Sequence, residues 1–190
     1  MKKENIVILI LAVVVAFLGV LLIVNLATRR ESELPAGGIP PGAGSPLDYK
    51  QRIAEAKKIV ARDPKNLQAW IQLGNDYFDS DQPREAIAAY AKALELEPNN
   101  PNVLTDQGVM FRRVGQFETA IANFEKAQRI DPTHLQSLFN IGVVYSSDLK
   151  RPDKAIEAWN RFLAIDSTSP QAQQVKGMIA ELKASTQKFR

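Results

Sequence analysis

The stretch LQAWIQLGNDYFDSDQPREAIAAYAKALELEP, residues 67–98, decides the fold because the chain returns to it. At a step of 34 residues Trp70 is followed by Leu104 and Leu138, Gly74 by Gly108 and Gly142, and Tyr77 by Phe111 and Tyr145. Ala86 and Ala120 keep the step, as do Tyr90 and Phe124, and Ala93 and Ala127. Pro64, Pro98 and Pro132 mark the joints. Trp70, Leu73, Gly74 and Tyr77 are spaced by three, four and seven, which lays them along one stripe of a helix. Ala86, Tyr90 and Ala93 give a second helix, small where it crosses the first and bulky between. A Glu-Pro or Asp-Pro pair then stops it, because proline disfavours a helical residue before it. Asn100-Pro101 opens the next unit, with Asn as cap and Pro in the first turn.

A unit of two antiparallel helices hides its apolar face only on a neighbour, so the units must stack. Trp70-x-x-Leu73-Gly74-x-x-Tyr77, followed by Ala86, Tyr90, Ala93 and Pro98, resembles the tetratricopeptide repeat, re-found at the same step. The resemblance implies an all-α solenoid of three helix-turn-helix repeats, at 67–100, 101–134 and 135–168. The third departs from the pattern: Gly142 to Ala155 spans 13 residues where Gly74 to Ala86 spans 12. One residue is therefore inserted around Ser147–Asp153. Phe162 also stands where the earlier units have Ala93 and Ala127, so packing there should be less regular.

Both ends of the repeat domain, 48–190, read as capped. Residues 48–63 form an amphipathic helix with Tyr49, Ile53, Ala56 and Ile59–Val60 apolar, like the second helix of a unit lacking its first. Residues 169–188 form a final helix whose stripe is Val175, Met178, Ile179 and Leu182. The expectation is eight helices after the tether and no strand.

Ahead of the repeats, residues 6–27 are almost unbroken Ile, Leu, Val, Ala and Phe, interrupted only by Gly19 and Asn25. As a helix they rise roughly 33 Å, enough for a hydrocarbon core of ~30 Å, and a soluble helix is not apolar on every face at that length. The alternative is a cleaved signal, but its apolar run should be roughly 7–15 residues. Asn25 is also a poor companion for cleavage after Ala27. The reading is a single-pass signal anchor behind the short basic tail of residues 1–5. Basic residues favour the cytoplasmic side. Lys2, Lys3 and the terminal amine precede the span and Arg29-Arg30 follow it, so the count nearly ties. The short basic tail resembles that of an uncleaved bacterial signal sequence. It predicts an inner-membrane protein with its N-terminus in the cytoplasm and its repeats facing the periplasm. Residues 28–47 hold Pro35, Pro40, Pro41 and Pro46 with Gly37, Gly38, Gly42 and Gly44, a tether that holds neither helix nor ladder.

Composition excludes much chemistry. With no Cys there are no disulfides, Cys-ligated metals or c-type haem attachment. The single His, His134, precedes a helix with no second ligand in view and reads as a loop or capping residue. The net charge of +3 divides as +3 over residues 1–30, −3 over 31–48 and +3 over the rest, too even for a nucleic-acid surface. No glycine loop cradles phosphate. Asp76, Asp79 and Asp81 read as a solvated turn, and Trp70 and Trp159 as repeat core. The expectation is therefore no enzyme, no cofactor, no metal, no nucleic acid and no small-molecule substrate.

What remains is the concave face. The resemblance implies that ligands lie along the first helix of each unit. Carried over, the lining is Gln68, Ile71, Asn75 and Phe78; Asn102, Thr105, Val109 and Arg112; and Gln136, Phe139, Val143 and Ser146. Amides suit an extended peptide backbone, the apolar members suit its side chains, and Arg112 adds a preference for acidic groups. The family's two-carboxylate clamp is not matched: Asn75 agrees, but Ile71, Asp106, Gln136 and Asn140 do not. The resulting expectation is an adaptor or scaffold that binds a protein or peptide, with the bilayer as second partner through residues 6–27. The architecture is similar to that of accessory proteins of envelope assembly and cytochrome c maturation. The alternative is a permanent structural subunit of a larger membrane complex.

Overall fold

A computed structural model describes residues 46–187. The anchor expected at 6–27 and the tether expected from residue 28, as far as residue 45, lie outside the described residues. Among those described, no helix is long and apolar enough to cross a membrane. The described residues form eight helices and no strand, as expected. They are α1 (Pro46–Arg62), α2 (Leu67–Asp79), α3 (Pro83–Leu96), α4 (Pro101–Arg113), α5 (Phe117–Ile130), α6 (Leu135–Val143, continued by a π-helical turn over Val144–Asp148), α7 (Pro152–Ile165) and α8 (Pro170–Gln187). Pro46 thus opens α1 rather than closing the tether; a proline suits a first helical turn, where its missing N–H has no helical partner.

The joints follow from the residues at them. Asn66 and Asn100 accept the N–H of Ala69 and Val103 at 3.0 and 3.1 Å, capping α2 and α4. His134 caps α6 through Nδ1, which accepts the Ser137 N–H at 3.3 Å, and Ser169 caps α8 by accepting the Ala172 N–H at 3.1 Å. Each helix pair closes on a residue with positive φ: Asp81 (55°), Gly115 (79°) and Lys150 (53°).

Within each unit a ring is pressed against a glycine. A Cβ on Gly74 would collide with the Tyr90 ring, one on Gly108 with Phe124, and one on Gly142 with the Trp159 indole. The repeating glycine is therefore a close-approach position, and the aromatic opposite it fills the space that a side chain would need. These rings are among the most deeply buried side chains.

The inserted residue of the third unit can now be placed. In the first two units the Ser80 and Val114 N–H groups bond back four residues, to the Asp76 and Met110 carbonyls. In the third the Leu149 N–H bonds back five, to Val144. The extra residue is absorbed as one wide turn at the end of α6, over Val144–Asp148, which begins three residues before the window read from sequence and overlaps it at Ser147 and Asp148.

Phe162 does disturb the pattern. Fully buried, it packs in one cluster with Leu138, Trp159, Ala172, Val175 and Ile179, so its ring spans the space to α8 that an alanine would leave empty. The predicted stripe of α8 is present, with Ala172 added. On α1, Tyr49, Ile53, Ala56 and Val60 are buried, but Ile59 remains 39% exposed. It lies one repeat step before Ala93, at a position that meets the first helix of its own unit, and α1 has none.

Candidate functional site

Helices α2, α4 and α6 are the first helices of the three units and carry all twelve groove residues inferred from sequence except Ser146, which sits in the π turn. Gln68, Asn102 and Gln136, one per unit near the helix start, are exposed. Ile71, Asn75, Phe78, Val109, Phe139, Val143 and Ser146 are half-buried. Ile71, Phe78 and Val109 pack on one side against the core of the first unit, Phe139 and Val143 against that of the third.

Two members differ from expectation. Thr105 is fully buried, its hydroxyl donating to the Pro101 carbonyl at 2.8 Å; a small residue there lets neighbouring helices close over it, which withdraws it from the groove. Arg112 does not present a free cation. Its guanidinium forks onto Asp148, Nε to Oδ2 at 2.5 Å and Nη2 to Oδ1 at 3.3 Å. Asp148 belongs to the π turn, so the third unit's insertion neutralises the charge credited to the groove.

Several amides also have internal duties. Asn75 Oδ1 accepts the Tyr90 hydroxyl at 2.9 Å. This leaves the Asn75 N–H groups as its donors to a ligand. Asn102 Oδ1 lies 3.0 Å from His134 Nε2, tying the second unit to the third. Burial lowers the His134 pKa, against a smaller opposite pull from Asp131. In the neutral ring Nδ1 accepts the helix cap while Nε2–H donates to Asn102.

The electrostatic balance at the first and second units is acidic rather than basic. Asp106 is pushed up to about 6, by burial first and by the charge of Asp79 second. The Tyr90 phenol is raised by burial and then by Asp106, Asp79 and Asp76, with Arg113 opposing. Arg113 itself is engaged: it donates to Asp81 at 3.0 Å and stacks 4.8 Å above the Phe78 ring.

Asp76, read from sequence as part of a solvated turn, is fully buried. It forms an ion pair with Arg52 of α1 and accepts from Gln72 Nε2 at 3.0 Å. Burial raises its pKa despite those partners. A signal for this was present: one repeat step on are Met110 and Val144, both fully buried, so an aspartate at that place had to find a cation. Trp159 is core as expected, whereas Trp70 is only half-buried, its indole N–H donating to the Pro64 carbonyl at 2.9 Å.

Among the described residues no group of His, Cys, Asp or Glu could hold a metal ion. The arrangement can offer exposed amides, apolar side chains and acidic charge along one row of helices, which is the chemistry of recognition.

Tetratricopeptide repeat family models match residues 67–100, 89–122 and 136–169. The middle match is out of phase with the helix pairs, which a solenoid permits because any frame one step long contains the same neighbours. Tetratricopeptide repeats are thus present, and they are in general a protein-interaction fold. Two crystal structures of MamA are similar to the chain at 26% identity, with TM-scores of 0.66 and 0.65, covering 72% of this chain and 80% and 74% of theirs. The first TPR of Spaghetti (RPAP3), solved bound to an HSP90 peptide, shares the fold at TM-score 0.58 and 18% identity over 65% of this chain and 95% of its own. Among curated proteins, tetratricopeptide repeat protein 37 of Xenopus laevis is 32% identical over 36% of this chain and 4% of its own length. The formate-dependent nitrite reductase complex bifunctional subunit NrfFG of Haemophilus influenzae is 33% identical over 27% of this chain and 14% of its own. The chain spans only a small fraction of these curated relatives.

Proposed function

We propose that the repeats hold an extended segment of a partner protein against α2, α4 and α6, and that residues 6–27 fix this adaptor to a bacterial inner membrane with the repeats on the periplasmic side. One observation carries the binding reading: Gln68, Asn102 and Gln136 recur at the 34-residue step and remain exposed, while the same helices commit Leu73, Tyr77, Leu104 and Leu138 to the core. A row of amides at solenoid spacing meets the donors and acceptors of an extended backbone, and Ile71, Phe78 and Phe139 receive alternate side chains. Asp79 and Asp106 give the first half of the groove a preference for Lys or Arg, replacing the acidic preference read from Arg112. The likeness to a subunit of a nitrite reductase complex and to a peptide-bound repeat domain supports a partner-binding role.

A photo-crosslinking residue placed at Gln68, Asn102 or Gln136 in the native membrane should capture one and the same partner from all three positions, and none from Lys126 on α5. Capture from Lys126 alone would put the interface elsewhere. Protease added to intact spheroplasts should digest the repeats; protection until lysis would reverse the orientation.

A further inference from the structure

The intervals between successive second helices of the solenoid are unlike. Between α3 and α5, Gln107 bridges the gap: it donates to the Ile87 carbonyl at 3.1 Å and accepts from Asn123 at 2.8 Å. Between α5 and α7 the surface is polar, with Glu125, Lys154, Glu157 and Arg161 around it. Between α1 and α3, Leu73 stands where the second unit has Gln107, and no such bridge forms. A groove of about 400 Å³ remains open there, floored by Trp70, Leu73 and Tyr77. Trp70 replaces the leucines of the other units, and its bond to the Pro64 carbonyl pins the indole in place before any ligand arrives.

The charges at the rim are ordered. Lys57 of α1 and Lys92 of α3 stand one repeat step and one residue apart, so they face each other at nearly one level. Glu85 lies seven residues before Lys92 on α3, roughly 10 Å along it. The groove is apolar in the middle, basic at one end and acidic at the other. Lys92 is held only by an exposed pair with Glu95, which is weak and exchangeable, and Lys57 rests 5.8 Å over the Tyr77 ring. Trp70, Leu73 and Tyr77 lie on the side of α2 turned away from Ile71, Asn75 and Phe78, so this groove is separate from the concave one.

We infer that this outer groove docks an amphipathic helix of another protein, acidic in its first turn and basic in its last, running antiparallel to α1 and α3. The apolar stripe of such a helix covers the half-buried Trp70 and the exposed Ala88, above the buried Leu73. Its acidic N-terminal turn meets Lys57 and Lys92, the placement that the helix dipole also favours, and its basic C-terminal turn meets Glu85.

The test uses the full-length chain labelled with 5-fluorotryptophan, whose two tryptophans give two fluorine resonances assigned by Trp70→Phe. The probe is a helical peptide of about 12 residues with an acidic first turn, leucines at i, i+3, i+4 and i+7 and a basic last turn, beside a peptide with the charges exchanged. The first peptide should move the Trp70 resonance and leave that of buried Trp159 in place. Ala88 lines the groove and is exposed, so Ala88→Glu should keep the fold yet weaken binding at least ~10-fold by placing a charge on the apolar floor. The exchanged peptide should bind about 5-fold more weakly, and Lys57→Glu with Lys92→Glu should invert that preference. A Trp70 resonance unmoved at saturating peptide, an Ala88→Glu variant that binds as well as the parent, or equal affinity for both peptides would overturn the assignment.

Discussion

Arg112 of α4 and Asp148 of the π turn form a forked ion pair across two repeats, with the carboxylate 17% exposed. The residue added to the third unit thus has a use. It widens the last turn of α6 and places an acid against the arginine of the preceding unit. A double-mutant cycle of Arg112→Ala and Asp148→Ala in urea should return a coupling of about 1 kcal/mol, since the pair is bidentate and partly shielded. Coupling near zero would reduce the contact to an ordinary surface pair.

Asp106 gives a pH test. Its carboxyl titrates at about 6 in the fold, above the range of an unfolded aspartate, so ionisation costs stability. The cost is absent where both states are protonated and grows as pH rises from about 4 through 6. Asp106→Asn should melt close to the parent at pH 4 and be more stable by about 2 kcal/mol at pH 8. Equal melting at both pH values would show that the carboxylate is well accommodated.

His134 works in the opposite direction. Its folded pKa lies below the unfolded one, so the neutral ring is favoured and its contribution is complete above about pH 6.5. As pH falls through the folded pKa, Nδ1 gains a proton and can no longer accept the Ser137 N–H, which costs about 1 kcal/mol of capping. His134→Asn restores the cap used at Asn66 and Asn100, and should remove this loss in calorimetry between pH 7 and 5.

Three glycines separate packing from conformation. Gly142→Ala drives a methyl into the Trp159 ring and should destabilise by about 3 kcal/mol or more. Gly115→Ala meets no neighbour but must hold φ near 79°, a cost of about 1 kcal/mol. Gly177→Ala, exposed within α8 with nothing nearby, should stabilise by about 0.5–1 kcal/mol. Denaturant midpoints in that order would support the assignments.

The fold was legible because its rule is local and repeated. A ring packed on a glycine leaves both residues visible in one helix pair, and the step then shows them again. The π turn was visible as a length difference, though not as a turn type. The groove was legible only as positions. Exposure of Gln68, Asn102 and Gln136 follows from their column, but the partners of Arg112, Asn75 and Asn102 come from other helices and leave no periodic mark. Asp76 could have been found, because its column is otherwise apolar. Trp70 could not be separated from core, since the groove beside it opens where Leu73 makes no bridge of the kind that Gln107 makes one unit later.

The central claim, that the exposed face of α2, α4 and α6 holds a partner segment, is tested most directly by one affinity. The segment captured by crosslinking, made as a peptide, is titrated against the full-length parent and an Asn102→Ala, Gln136→Ala, Phe139→Ala variant of unchanged helicity. Loss of two side-chain amides and one apolar anchor should weaken binding at least ~30-fold, about 2 kcal/mol. An affinity the same as the parent's would contradict the account and remove the partner from this face.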